Sequence, residues 1–202
     1  MALGWTEAGF AYIMSQAPIR SVQDLKGKKV WIPQGDEVGQ TMFEKAGVPP
    51  IPLSLPDVIT SLQTHQLNTV CTSPVGAVIL QWYTKVKFIT KEPLLLVYGV
   101  LMVDKKSFDK VSPQNKKITR ELFAKCFGEL NVQTRKDNDA ALDTMTKKGI
   151  ELVSVTPEDH AGLVRLTDEA KVELYKKGIF TKETVDMIEK SVQEYRQAHP
   201  DQ

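Results

Sequence analysis

Short apolar runs and helix-start signals alternate along the first part of the chain. Each of three predicted strands is followed within a few residues by an acidic cap or a proline, both of which are signals for the first turn of a helix. Strand–helix alternation at this spacing predicts an α/β fold with a parallel, doubly wound sheet. The predicted strands cover residues 29–33, 51–54 and 69–72, and the predicted helices begin at Asp36, Pro56 and Pro74.

The later part of the chain has longer elements. An apolar run over residues 93–103, rich in Leu, Val and Tyr, predicts a long buried strand. Another strand is expected over residues 150–155, followed by a helix that starts at Pro157. Residues 181–198 have the spacing of an amphipathic helix, and Thr181 is placed to cap it.

A long segment with few helix breakers follows Ser112 and Pro113, which together form a strong helix start. Only Gly128 interrupts this segment before residue 149. A single helix over the span would be about 50 Å long, which is longer than a small domain is wide. Its apolar ends and polar middle are typical of a strut that is packed at both ends. Two ordinary helices joined by a loop near Arg135 fit the same pattern.

The composition is that of a globular protein without a nucleic-acid partner. The 202 residues carry a net charge of +1 and are 42% hydrophobic, which allows a sizeable core. Nucleic-acid-binding proteins usually have a marked basic excess, and this chain has none. It contains no apolar stretch of about 18 residues, the length that spans a membrane. Because Met1 leads into the chain without a signal peptide, the chain is either cytosolic or begins inside a longer gene.

The sequence lacks the standard signals for catalysis. It has no nucleophile elbow, Gly-rich phosphate loop, H-E-x-x-H or C-x-x-C, and its three histidines neighbour no nucleophile. We therefore expect a protein that is not an enzyme and that holds no metal or cofactor. Residues 137–139 faintly resemble a calcium loop but lack its turn glycine, so a solvated helix face is expected there. Cys71 and Cys126 match no redox or metal spacing and are expected to be unpaired thiols.

Two positions are candidates for contact with a ligand. Trp31 lies near the end of a predicted strand, and ligands of open α/β sheets bind beyond the carboxyl ends of strands, where a Trp can stack on them. An ordinary core tryptophan is the alternative. Glu7 lies between Trp5 and Phe10, where its carboxylate could contact a ligand or form an exposed or hinge salt bridge.

Several blocks of the sequence resemble the periplasmic solute-binding subunit of TRAP transporters, the DctP-like family. Residues 21–30 resemble its S-x-x-D-L-K-G-x-K-I block, and residues 103–113 resemble its V-x-K-K-x-F-D-x-L-S-P signature. Further similarity lies at residues 52–63 and 178–196. These blocks have the order and spacing of the family and together cover nearly the whole chain.

The resemblance implies a periplasmic-binding-protein type II fold, in which two α/β lobes close over a solute by a hinge motion. Crossing strands and a long helix join the lobes. The family has further residues before this region, with a signal peptide and most of the first lobe, so we expect a fragment of a periplasmic receptor with TRAP membrane subunits as partners. The implied regions are a second-lobe ligand-binding region (1–90), a first-lobe remnant strand with the long inter-lobe helix (91–149), and a second-lobe return strand with C-terminal helices (150–202).

The expected ligand site departs from the pattern of the family. This chain has Trp31 where the family usually carries an arginine, and a Trp cannot grip a carboxylate as a planar guanidinium fork does. Ser73 stands in the turn that usually contains an asparagine. We therefore expect a small organic solute that is aromatic or apolar and not a simple dicarboxylate, although backbone N–H groups could hold a carboxylate. The expected ligand-binding residues are Trp5, Glu7, Trp31, Gln34, Leu55, Ser73, Trp82 and Tyr98.

Other functions stay open at this point. A cytosolic α/β enzyme would need a nucleophile, a base or a cofactor loop. A docking module would bind the membrane subunits without binding a solute. A fragment without the first lobe would also expose apolar surface, through which it could form a homodimer.

Overall fold

Over residues 1–199, which the computed structural model describes, the chain forms six strands and seven α-helices. Most of these elements lie where the sequence pattern predicts them. The strands are β1 (Ala2–Ser15), β2 (Trp31–Pro33), β3 (Ile51–Leu53), β4 (Thr69–Thr72), β5 (Phe88–Met102) and β6 (Glu151–Val153). The helices are α1 (Glu37–Lys45), α2 (Val58–Gln63), α3 (Pro74–Ile79), α4 (Lys105–Asp109), α5 (Pro113–Lys147), α6 (Pro157–Lys176) and α7 (Lys182–Ala198).

The sheet is mixed and not wholly parallel. β2 pairs with β3 in parallel, and a parallel bridge between Val30 and Thr69 joins this pair to β4. The strand order is then β4-β1-β5-β6, with β1 antiparallel to both of its neighbours and β5 parallel to β6. The parallel pairing that the strand–helix alternation predicts is present for β2, β3 and β4, and the antiparallel strand β1 makes the sheet mixed. Strand–helix alternation fixes the direction only of strands that crossover helices join, and β1 precedes them all.

The long segment after Ser112 is one helix, so the alternative of two helices with a loop is wrong. The hydroxyl of Ser112 accepts a hydrogen bond from the backbone N–H of Asn115, and α5 then continues for 35 residues, or about 52 Å. Within residues 1–199 no helix, α5 included, combines the length and the apolar character that crossing a bilayer requires.

Alternating side chains place two apolar clusters on the two faces of the sheet. Ile13 and Ile32 belong to one cluster with Phe43 of α1, whereas their neighbours Met14 and Trp31 belong to the other. Both clusters lie at the part of the sheet where several strands are side by side. This core holds the strand ends and the helices that begin there in fixed positions.

The sheet narrows to two strands at its far end. β4 pairs only with residues 12–15 of β1, and β6 pairs only with residues 88–90 of β5. Residues 2–11 and 93–102 therefore form a two-stranded antiparallel segment, which we call the β1–β5 ribbon. The predicted long strand is present, but the prediction that it is buried is wrong. Among residues 1–199 no third strand pairs with this part of the ribbon, and many of its side chains are exposed. The exposed apolar side chains of the ribbon are Trp5, Phe10, Leu95, Tyr98, Val100, Leu101 and Met102.

Two glycines of β1 allow α5 to lie unusually close to the ribbon. A Cβ atom at Gly4 would overlap the ring of Phe127, and one at Gly9 would overlap the carboxamide of Asn138. Gly9 also has a φ of +100°, which only glycine adopts readily, and it lies at a shift in the β1–β5 register. The contact between strand and helix thus depends on the absence of side chains at these positions.

Both cysteines are free, as the sequence analysis predicts. Cys71 is partly buried in β4, and burial raises the pKa of its thiol to about 12. Cys126 is exposed on the front half of α5. The two thiols therefore differ in their access to solvent.

Candidate functional site

Three parallel strands end at one edge of the sheet, which we call the strand-end edge. β3, β2 and β4 are neighbours and run in the same direction, so their carboxyl ends meet there. Gln34 follows β2, Leu55 follows β3 and Ser73 follows β4. The Ser73 hydroxyl caps α3 by accepting a hydrogen bond from the Gly76 N–H. The structure thus places three of the expected ligand-binding residues along this edge.

Trp31 and Trp82 lie inside the core beneath the strand-end edge. Their rings meet edge to face at 4.9 Å, and Trp31 is 4% exposed and Trp82 1%. The indole N–H of Trp31 donates to the carbonyl oxygen of Leu53 at 3.1 Å. An ordinary core role, the alternative for Trp31 in the sequence analysis, accounts for all of these contacts. A role for either tryptophan in binding a ligand stays a prediction.

A cleft of about 860 Å³ opens between the β1–β5 ribbon, the first turn of α3, and helices α5 and α7. Its size is in the range of small-molecule sites. Glu7 and Tyr98 line it, whereas Trp5 lies on the ribbon outside the lining and is 62% exposed. The lining consists of Glu7, Gly9, Phe10, Tyr12, Pro74, Leu96, Tyr98, Arg135, Asn138, Asp139, Leu142, Val192 and Tyr195.

Glu7 and Arg135 form a bidentate ion pair in the lining of the cleft. Arg135 donates from Nε to Oε2 at 2.9 Å and from Nη2 to Oε1 at 2.7 Å. This hydrogen bonding lowers the pKa of Glu7, outweighing the opposing effect of burial. The contact is a salt bridge, one of the two roles that the sequence analysis gave for Glu7. A hinge function for this pair and contact of Glu7 with a ligand stay predictions.

Two asparagines of α5 hold the neighbouring backbone in place. The backbone N–H of Glu7 donates to Asn131 Oδ1 at 2.8 Å, and Asn138 Nδ2 donates to the carbonyl oxygen of Ala8 at 3.2 Å. The N–H of Val75, in the first turn of α3, donates to Asn138 Oδ1 at 3.2 Å. Asn138 therefore joins β1, α3 and α5.

The interpretation of residues 137–139 as a solvated face is wrong for Asn138. Its carboxamide oxygen accepts a hydrogen bond from the N–H of Val75, and its Nδ2 donates one to the carbonyl oxygen of Ala8. The sequence contains a signal that could have found this face. Asn131, Arg135 and Asn138 are spaced four and three residues apart, so they lie on one side of a helix. No group of three or more His, Cys, Asp or Glu side chains within residues 1–199 is placed to hold a metal ion.

Tyr12 contributes a neutral hydroxyl to the cleft wall. Burial raises the pKa of Tyr12, and the negative charges of Asp139 and Glu92 raise it further. Its phenol thus stays protonated near neutral pH, where it can both donate and accept a hydrogen bond.

Replacing Glu7 with Gln should change how stability depends on pH. The lowered pKa of Glu7 means that its ion pair stabilises the folded state above its unfolded pKa of about 4.3, and that this stabilisation is lost as pH falls through the folded pKa. Urea unfolding should show wild type to be more stable than Glu7→Gln near neutral pH, with the difference shrinking in acid. Glu129→Gln, which removes an exposed pair with Lys125, is the control. Parallel pH curves for wild type and Glu7→Gln would refute the prediction.

Comparisons with known proteins agree with this fold. The profile of the DctP family, bacterial extracellular solute-binding proteins of family 7, matches residues 1–178. An uncharacterized protein, YiiZ, from Salmonella typhimurium is 27% identical over 119 residues, which are 58% of this chain and 36% of that protein. The chain therefore spans little more than a third of this curated relative.

Solved structures of TRAP periplasmic solute-binding proteins share the fold. One from Desulfovibrio desulfuricans, with bound sn-glycerol-3-phosphate, has a TM-score of 0.85 at 20% identity and covers 97% of this chain and 61% of its own. One from Roseobacter denitrificans, with bound β-D-glucuronate, has a TM-score of 0.85 at 16% identity. The match covers 93% of this chain and 62% of that protein. DctP7 of Bordetella pertussis, which binds pyroglutamic acid, has a TM-score of 0.81 at 18% identity. The match covers 88% of this chain and 58% of that protein.

These matches confirm the α/β periplasmic-binding-protein lobe that the sequence predicts. The family is one of solute-binding proteins and not of enzymes, which is also what the sequence analysis expects. Because the family profile extends over residues 1–178, the chain belongs to family 7 of the bacterial extracellular solute-binding proteins.

Proposed function

We propose that the chain is the solute-binding part of the extracytoplasmic receptor of a TRAP-type transporter, and that its solute is a small organic acid. The observation that carries this proposal is the continuity of the cleft with the strand-end edge. Pro74 lines the cleft, and its neighbour Ser73 caps α3 at that edge. A solute in the cleft would therefore touch both the ribbon and the region where ligands of α/β sheets commonly bind.

An acid fits the cleft better than a purely apolar solute does. Trp31 and Trp82, on which the expectation of an aromatic solute partly rested, pack against each other in the core. The cleft instead contains a guanidinium, that of Arg135, and the phenols of Tyr12 and Tyr98. Its aromatic walls suit a solute that has one apolar face. Glucuronate, pyroglutamic acid and glycerol-3-phosphate, which are bound to the structural relatives, are all acids.

The exposed apolar surface supports the expected division into lobes. A two-stranded ribbon is marginal in water on its own, and this one carries large apolar side chains in the open. The front half of α5 likewise exposes Ile118, Leu122 and Leu130. In this proposal residues 1–90 and 150–202 form the second lobe, and residues 91–149 lead into a first lobe that covers the ribbon. The last three residues of this division lie outside the described part of the chain.

The location and partners follow from the same proposal. A receptor of this kind works in the periplasm and delivers its solute to TRAP membrane subunits. The docking module stays an alternative, and a chain that bound no solute would favour it. The comparisons give no support to the homodimer expected from the sequence, and it is not part of this proposal.

Titration of the 15N-labelled chain with small acids tests the proposal. D-glucuronate, pyroglutamate and sn-glycerol-3-phosphate should shift amide signals that line the cleft, among them those of Gly9, Tyr98 and Asn138. Because one lobe supplies only part of the contacts, we expect dissociation constants of about 1 mM for the best of them. NMR detects binding of this strength.

Neutral compounds of matched shape provide the control. D-glucose and glycerol should cause smaller shifts than D-glucuronate and sn-glycerol-3-phosphate at equal concentration. Equal shifts with the neutral compounds would show that the cleft does not prefer acids, and this would contradict the proposed class of solute. A chain that is folded but gives no shifts in the cleft with any of the acids would overturn the proposal.

A further inference from the structure

The cleft contains one positive charge among its described lining residues, that of Arg135. Its other ionised side chains are the carboxylates of Glu7 and Asp139. A bound acid would meet repulsion from these carboxylates unless a cation or a set of N–H donors faced it. Among the described lining residues, Arg135 therefore supplies the side-chain cation that could face the acid.

The guanidinium of Arg135 still has unused donors. A guanidinium carries five N–H donors in a planar fork, and Glu7 takes one from Nε and one from Nη2. Among residues 1–199, Nη1 donates to no other side chain or carbonyl group, and the side chain is 72% exposed. The edge formed by Nη1 and Nη2 thus remains open to an anion, and this edge can grip a carboxylate with two parallel hydrogen bonds.

The ion pair with Glu7 holds the guanidinium of Arg135 in one orientation. The Glu7 side chain is only 19% exposed, and its backbone N–H is bound to Asn131 of the same helix that carries Arg135. Two contacts of Glu7 therefore join β1 to α5, the hydrogen bond to Asn131 and the ion pair with Arg135. A long flexible side chain that is already held in this way loses less conformational entropy when it binds a ligand.

We propose that Arg135 is the residue that recognises the solute carboxylate and that Glu7 is its positioning residue. This inference rests on the proposed function, because it names the group that would select an acid in the same cleft. The solute carboxylate takes the Nη1–Nη2 edge while Glu7 keeps the Nε–Nη2 edge. Binding therefore does not require the ion pair to break.

Substitutions at Arg135, read with a matched pair of compounds, test this proposal. D-glucuronate and D-glucuronamide have the same shape, but only the first carries a negative charge. Arg135→Ala should weaken D-glucuronate binding by about ten- to a hundred-fold, the usual worth of hydrogen bonds to a charged group, and should leave D-glucuronamide binding nearly unchanged. Arg135→Lys should lie between wild type and Arg135→Ala, since an ammonium keeps the charge but not the fork.

Two further variants separate recognition from general effects. Lys136→Ala removes a positive charge from the next position of α5, outside the cleft lining, and should bind both compounds as wild type does. Glu7→Gln leaves Arg135 charged, so this variant should keep a preference for the acid over the amide that Arg135→Ala loses. Urea unfolding of each variant shows that the protein compared is folded.

The outcomes distinguish this inference from the proposed function. A wild-type chain that binds none of the acids overturns both. A wild-type chain that binds D-glucuronate with an affinity that Arg135→Ala does not change overturns the inference alone. An equal loss of D-glucuronate and D-glucuronamide binding in Arg135→Ala would mean that Arg135 has only a structural role, and this would also overturn the inference.

Discussion

Replacing Trp82 with alanine is expected to lower the free energy of unfolding by about 3–5 kcal/mol. Trp82 is 1% exposed and packs edge to face against Trp31 in the larger core cluster, with Leu62 and Ile89 in the same cluster. Removing the indole leaves a cavity that residues from several elements cannot fill together. Urea denaturation followed by far-UV circular dichroism measures the loss as a lower midpoint at unchanged slope.

Trp5→Ala is the matched control for this experiment. Trp5 is exposed on the ribbon, so its replacement should change the unfolding free energy by no more than about 0.5 kcal/mol. A loss below about 1 kcal/mol for Trp82→Ala would contradict the closed core seen around the two tryptophans. It would also favour the prediction that Trp31 and Trp82 contact a ligand.

Replacing Gly9 with valine should destabilise the fold by about 3 kcal/mol. The φ of +100° at this position disfavours any residue with a Cβ atom, and a β-branched residue most of all. The new side chain would also displace the carboxamide of Asn138, whose bonds to Ala8 and Val75 would then be lost. The same urea experiment measures this effect.

Gly128→Ala provides a control of opposite sign. Gly128 lies on the exposed side of α5, and a Cβ atom there would meet nothing within 4 Å. Alanine should therefore stabilise the protein by about 0.5–1 kcal/mol through its better helix propensity. If Gly9→Val were tolerated as well as Gly128→Ala, the close approach of β1 to α5 would not be a requirement of the fold.

The sequence predicts best those elements that depend on nearby residues. Helix α5 could be placed because Ser112 and Pro113 start it and only one glycine lies between them and residue 148. Asp36 and Thr181 cap their helices as predicted, since an N-cap contacts a backbone N–H only three residues away. The strand-end edge follows from such local signals together with the order of the elements.

Features that depend on distant partners could not be predicted in this way. The pattern could not decide whether Trp31 belongs to a pocket or to the core, because its partner Trp82 lies 51 positions further along the chain. The direction of β1 and the exposure of the ribbon likewise depend on which strands pair with it. Arg135 appeared as part of a polar helix middle, and only its contact with Glu7 places it in the cleft.

The contrast between the two thiols makes the unmodified protein suitable for site-specific labelling. Burial raises the pKa of the Cys71 thiol and so disfavours its reactive thiolate near neutral pH, whereas Cys126 faces solvent. A maleimide fluorophore should therefore attach at one defined point on the long helix, outside the lining of the cleft. Its polarisation and emission could then report solute binding or lobe movement in a protein whose sequence needs no alteration.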